Sequence, residues 1–313
     1  MAVILVTHGI PTDGLTALGE HTLRMPEPLR AFTKEELDRL IVDADAVIAC
    51  GRVCADTIRR AARLKIIANY GAGYDGVDIA EAARRGVPVT NIPETVTDCT
   101  AELAFSLMLA VERRVGEMTL RMRLEQPEGL FGLGKWMGRS LKGQTLGIFG
   151  AGRIGGRLAE MARPFGMHVI GYSRRGCDPA LAEPVGMDEL LRRSDVLSLH
   201  CPLTAQTRGL FDREMLARMK HGSVLINTSR GAVVDTDALC DALESGQLCG
   251  AGVDVYPDEP HVPARLLALP QAVLTPHCGS NTREARRIMA EACCEQVLQA
   301  LAGERPASIV NGL

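Results

Sequence analysis

The chain has 313 residues, of which 46% are hydrophobic and 23% charged, and its formal net charge is -3. This length suits two domains, each with a sizeable core. No basic stripe points to nucleic acid, and no apolar run is long enough to span a bilayer, so neither nucleic acid nor membrane is expected as a partner.

Met1 to His8 form a short apolar run without the basic flank of a signal peptide, so the expected location is cytoplasmic. The 10 cysteines include no CxxC pair and read as reduced thiols, and no metal site is expected. Apolar runs at residues 3–6, 46–49, 66–68, 145–149, 169–172, 196–199, 224–226, 252–255 and 272–275 predict strands. Most are too uniformly apolar for a sheet wetted on one face and suit parallel strands covered on both. Residues 35–41, 154–163 and 212–219 carry helical spacing between them. The alternation predicts an α/β protein with two doubly wound parallel-sheet domains, Rossmann-like or flavodoxin-like. Residues 98–122 predict one long connecting helix, followed by a Gly-rich stretch at 128–138. Residues 282–301 predict a last helix that returns the chain to the first domain.

Gly150-Ala151-Gly152-Arg153-Ile154-Gly155 fits GxGxxG. Alone the pattern is weak, but here it follows a strand and opens a helix, the context the motif requires. Gly150 permits the tight turn, Gly152 admits a pyrophosphate to the backbone, and Gly155 lets helix and strand pack closely. Arg153 and Ile154 begin the helix whose N-terminus would meet the phosphates. About 20 residues on, an acidic residue would accept from a free ribose 2′-hydroxyl. The chain there reads Ser173-Arg174-Arg175. That favours a 2′-phosphate and hence NADP(H), with NAD(H) as the alternative; the plain reading is a pair of solvated loop arginines.

Three later strands end in polar segments: Asn227-Thr228-Ser229-Arg230-Gly231, Asp254-Val255-Tyr256-Pro257-Asp258-Glu259-Pro260 and Thr275-Pro276-His277-Cys278-Gly279. Ligands of open α/β sheets bind at the carboxyl ends of strands. Reducing a 2-keto acid needs a cation for the carboxylate and carbonyl, a proton donor for the new alkoxide, and a hydride donor. Arg230 offers a planar fork. His277 is a candidate general acid, and Glu259 a partner that would favour its imidazolium. An imidazolium beside it would make the Cys278 thiol lose its proton more easily; an inert small side chain is the favoured reading.

With these segments, Asn69-Tyr70-Gly71-Ala72-Gly73-Tyr74-Asp75 and His200-Cys201-Pro202-Leu203-Thr204, the sequence resembles the D-isomer-specific 2-hydroxyacid dehydrogenase family nearly end to end from about Ile66. The resemblance implies that Arg230, Glu259 and His277 are catalytic and that Ala72 and Gly73 present backbone N–H groups to the substrate carboxylate. It implies cofactor contacts at Thr97, Pro202, Thr228, Asp254 and His277, with Asp254 at the nicotinamide amide. It also implies a substrate-binding domain of 1–98 plus 287–313 and a dinucleotide-binding Rossmann domain of 99–286. A homodimer is implied too, crossed by the 98–122 helix and the arm around Trp136. The Ser173-Arg174 pair resembles the glyoxylate and hydroxypyruvate reductase branch, and the C-terminal stretch resembles that branch and the related hydroxyphenylpyruvate reductases. Cys278 departs from the aliphatic residue more usual there, and Glu259 argues against formate dehydrogenases, which carry Gln.

These readings converge on NAD(P)H-dependent reduction of a small 2-keto acid, such as glyoxylate or hydroxypyruvate, to its 2-hydroxy acid. Reduction of a bulkier keto acid, such as an aryl pyruvate, is the near rival. A second cation from Arg52, after the strand at 46–49, would favour a dicarboxylate or phosphorylated substrate; a solvated surface arginine is the simpler reading. Corepressor-like proteins of this fold share the triad and use the dinucleotide as a signal, but the absence of long tails argues against that class.

Overall fold

The computed structural model describes residues 1–174 and 176–313; Arg175, assigned above to the 2′-end of the cofactor, lies outside the described residues. The chain divides into two compact units, Met1–Val96 with Ser280–Leu313, and Thr97–Gly279.

The first unit holds five parallel strands: β1 (Val3–Val6), β2 (Thr22–Arg24), β3 (Ala46–Ala49), β4 (Ile66–Asn69) and β5 (Val89–Thr90). Their order is β2-β1-β3-β4-β5, the flavodoxin-like arrangement. Every residue of β3 and β4 is buried, as parallel strands covered on both faces require. The Arg283–Ala302 helix, capped by Thr282, packs on this sheet through buried Met289, Cys293 and Val297.

The second unit holds seven parallel strands: β6 (Thr145–Phe149), β7 (His168–Tyr172), β8 (Glu183–Pro184), β9 (Val196–Leu199), β10 (Ser223–Asn227), β11 (Leu248–Val253) and β12 (Ala272–Leu274). Their order is β12-β11-β10-β9-β6-β7-β8. The direction of winding reverses between β6 and β9, so the crevice of a doubly wound sheet falls at the carboxyl ends of those two strands. Leu197, Leu225 and Ala251 belong to the core on one face. Leu146, Ile148, Val224 and Ile226 form the other, with Leu107 and Met108 of the Thr97–Glu112 helix. Each buried Leu or Ile contributes about 1.5–3 kcal/mol, enough collectively to fix the register that sets the loops described below.

Apolar runs do not predict β2, β5 or β8. Each has only two or three residues and lies at a sheet edge. β8 is exposed and contains Pro184, which an edge tolerates because its outer side needs no ladder donor. The single helix expected over 98–122 is two helices, Thr97–Glu112 and Val115–Leu124. The break falls at Arg114, in the left-handed region at φ 55°. There Arg114 Nε donates to Glu117 Oε2 at 2.8 Å and its guanidinium lies over the Trp136 ring. One left-handed residue leaves the apolar spacing intact, so periodicity does not reveal it. No described helix is long and apolar enough to cross a membrane.

Candidate active site

β6 runs into Gly150, whose φ of 96° favours glycine. A Cβ there would stand 2.7 Å from the His200 carbonyl, and one at Gly155 would stand 2.7 Å from the Gly150 carbonyl oxygen and from Ile148 Cγ2. A Cβ at Gly152 would meet nothing within 4 Å. Protein packing therefore demands two of the glycines, while the third borders open space. That space lies at the start of the Arg153–Ala162 helix, which no side chain caps. First-turn amides and a positive dipole end make such a start a cradle for a pyrophosphate.

Ser173 follows β7 directly and is half-buried, and Arg174 is exposed. Arg174 lies close enough to the loop after β9 for its charge to act on the Cys201 thiol, which burial pushes up to about 11. In that loop Pro202 is exposed and its carbonyl accepts from Thr207 Oγ1 at 2.7 Å. Beyond β10, Thr228 Oγ1 is buried without a hydrogen-bond partner among the described residues, a costly arrangement unless a ligand supplies one. The open cradle and the orphaned hydroxyl both fit a dinucleotide lying along the carboxyl ends of these strands.

The loops after β10, β11 and β12 are stapled by their own polar groups. Asn227 Oδ1 accepts from the Ser229 N–H and hydroxyl at 3.0 and 2.8 Å, and Asn227 Nδ2 donates to the Arg230 carbonyl at 3.1 Å. Arg230 Nη1 in turn donates to the Ser229 carbonyl at 2.6 Å. Gly231 presses on the next loop so closely that a Cβ would stand 2.0 Å from the Tyr256 carbonyl carbon. Asp254, 1% exposed, holds the β12 loop. Its Oδ1 accepts from Thr275 Oγ1 at 2.6 Å and Cys278 N at 2.8 Å, and its Oδ2 from Gly279 N at 2.9 Å. Tyr256 Oη donates to the Thr275 carbonyl at 2.9 Å.

This bracing holds His277 in the left-handed region at φ 50°, with its N–H donating to the Asp254 carbonyl at 2.8 Å. Such a conformation is uncommon for a non-glycine residue and costs energy that the surroundings must supply. It places His277 Nδ1 2.7 Å from Glu259 Oε2, while Glu259 Oε1 accepts from Tyr256 N at 2.9 Å. Burial pushes the Glu259 carboxyl up, but the bonds from His277 and Tyr256 and the nearby His277 and Arg230 charges outweigh it and hold the group below its ordinary range. With Nδ1 engaged, Nε2 is the ring nitrogen left to exchange a proton. His200 is the opposite case: burial lowers it to about 4, and its Nε2 shares a hydrogen bond of 2.8 Å with Ser198 Oγ. Cys278 fits the inert reading rather than the activated one, because burial and the Asp254 carboxylate push its thiol up.

In the other unit β4 leads into the loop carrying Ala72 and Gly73. Asn69 Nδ2 donates to the Gly71 and Gly73 carbonyls at 2.9 and 3.0 Å, and Asn91 Nδ2 donates to the Ala72 carbonyl at 2.8 Å. The N–H groups of Ala72 and Gly73 donate to nothing among the described residues. Arg52 is exposed on the loop after β3. Asn69, Asn91, Asn227, Gly231 and Tyr256 do not emerge as functional from sequence reasoning. Only Asn227 carries a local signal, an Asx turn closing on the serine two residues on.

This strand order and glycine turn define a dinucleotide-binding α/β protein built on two parallel sheets. The profile described as "D-isomer specific 2-hydroxyacid dehydrogenase, NAD binding domain" matches residues 105–279. Glyoxylate reductase of Thermococcus litoralis is 41% identical over 319 residues, covering 98% of this chain and 96% of that protein. Among solved structures, the TT0316 protein of Thermus thermophilus superposes with a TM-score of 0.91 at 41% identity, covering 98% of this chain and 99% of that one. An NADPH-dependent glyoxylate/hydroxypyruvate reductase of Sinorhizobium meliloti, in complex with NADP and malonate, has a TM-score of 0.86 at 30% identity, covering 99% and 96%. The chain belongs to the D-isomer specific 2-hydroxyacid dehydrogenase family.

Proposed function

We propose that this enzyme reduces glyoxylate and hydroxypyruvate with NADPH in preference to NADH. The observation that carries the reading is the His277–Glu259 pair at 2.7 Å, braced beside the Arg230 loop. Relatives named glyoxylate reductase and glyoxylate/hydroxypyruvate reductase support the substrate class.

Gly150, Gly152, Arg153, Ile154 and Gly155 hold the pyrophosphate, Ser173 and Arg174 the 2′-phosphate, and Thr97, Pro202, Thr228, Asp254 and His277 the rest of the dinucleotide. When bound, the nicotinamide supplies the hydride that reduces the carbonyl carbon. In the first unit the N–H groups of Ala72 and Gly73 suit a substrate carboxylate, and in the second the guanidinium of Arg230 suits a carboxylate and a carbonyl oxygen. His277 holds a proton on Nε2 and passes it to the carbonyl oxygen, and Glu259 on Nδ1 stabilises the imidazolium beforehand. Residues 1–98 plus 287–313 act as the substrate-binding domain and 99–286 as the dinucleotide-binding domain.

We place the enzyme in the cytoplasm, in keeping with ten free thiols. We further propose a homodimer. Exposed Leu120 (53%), Leu124 (75%), Phe131 (72%), Leu133 (107%) and Met137 (76%) cluster in sequence around the Trp136 arm, more apolar surface than a solvated segment needs. The deciding assay measures kcat/KM for glyoxylate, hydroxypyruvate, pyruvate and phenylpyruvate with each cofactor. The highest value for a small keto acid supports the reading; a maximum for phenylpyruvate transfers it to the bulkier class, and no turnover with any of them refutes it.

A further inference from the structure

We infer that Asn69 and Asn91 are positioning residues for the substrate carboxylate, acting through the backbone of Ala72 and Gly73. The inference rests on the proposal that these two N–H groups bind the carboxylate. A short loop offers an anion its N–H groups only if its carbonyls point elsewhere, because carbonyl oxygens repel a carboxylate.

Three consecutive carbonyls here are drawn away by side-chain amides. Asn69 Nδ2 takes those of Gly71 and Gly73, and Asn91 Nδ2 takes that of Ala72. Both asparagines are buried, at 5% and 9% exposure, so water competes little for these amide protons. Asn91 is itself held in place. Its carbonyl accepts from Gln296 Nε2 at 3.1 Å, and the neighbouring Thr90 hydroxyl donates to Gln296 Oε1 at 2.6 Å. A further bond from Ile92 N to the Gly71 carbonyl, at 3.1 Å, ties the two loops together. An amide is the group this task requires: it donates two protons, carries no charge to disturb the bound anion, and accepts at its oxygen.

The test measures oxamate binding to the enzyme–NADPH complex for wild type, Asn69→Ala and Asn91→Ala, alongside NADPH affinity, melting temperature and the keto-acid kinetics. We expect each variant to weaken oxamate, and to raise the keto-acid KM, by about tenfold, the low end of the worth of one hydrogen bond to a charged group. NADPH affinity should hold, and kcat should change far less than KM. Wild-type oxamate affinity in both folded variants overturns the inference. So does a loss shared equally by oxamate and NADPH, which marks a merely structural role. If neither variant folds, the wild-type protein decides. The side-chain amide signals of Asn69 and Asn91 should shift with those of the Ala72 and Gly73 backbone amides as oxamate is added. Asparagine signals that stay fixed while the backbone amides move overturn it. Failure of the wild-type complex to bind oxamate defeats the carboxylate-binding reading itself, a separate outcome.

Discussion

His277 Nδ1 and Glu259 Oε2 lie 2.7 Å apart, although the residues are separated by 18 positions and sit on loops after different strands. The contact exists because β11 and β12 are parallel neighbours, which bring their carboxyl-end loops together, and because Asp254 ties the start of one loop to the end of the other.

Glu259→Gln tests that contact through pH. A glutamine keeps the hydrogen-bonding shape but not the charge, so the imidazolium loses its anionic partner and kcat for reduction falls. Stability follows a related rule. A carboxyl held below its ordinary range stabilises the fold above that range, and the contribution is lost as pH falls through the lowered value. The stability gap between wild type and variant should therefore be present at neutral pH and close as the pH drops below about 4.3. Denaturant melts between those limits check it, and a gap independent of pH contradicts the pairing.

His277→Ala should lower kcat by about 10²–10⁴-fold, the usual worth of a general acid, with a far smaller effect on NADPH affinity. Single-turnover rates with a saturating keto acid give the comparison. Near-normal turnover would remove His277 from the reaction.

Arg230→Lys keeps the charge but loses the fork. The expected outcome is a fall in kcat/KM for every keto acid with cofactor affinity intact. Because the Arg230 guanidinium also bonds the Ser229 carbonyl, melting temperature belongs in the same experiment; a variant altered only in stability would mark Arg230 as structural.

The proposed preference for NADPH rests on Ser173 and Arg174, half-buried and exposed just beyond β7. One good arginine contact to a 2′-phosphate gives a factor of about 10–150 in affinity, towards the low end where the group is exposed, and weaker as salt rises. Ser173→Asp with Arg174→Ala should reverse the preference by supplying an acceptor for a free hydroxyl and removing the phosphate donor. Equal kcat/KM for NADPH and NADH in the unmodified enzyme would defeat this.

The sequence by itself determined the features whose physics is local or compositional. Largely apolar runs of four or five residues announce β3, β6 and β9. GxGxxG between strand and helix marks the phosphate turn, and Arg230, Glu259 and His277 stand in segments that resemble one family. Only the tertiary structure decided which groups meet. The edge strands β2, β5 and β8 are too short or too polar to announce themselves and form because a neighbouring strand offers a ladder. Cys278 looks activated beside His277 in the sequence, yet its backbone and thiol face the Asp254 carboxylate from 24 residues away. Asn91 reaches the Ala72 carbonyl across 19 residues. Periodicity reports the face a side chain presents within one element, whereas hydrogen bonds and charges act between elements once the sheets have set their distance.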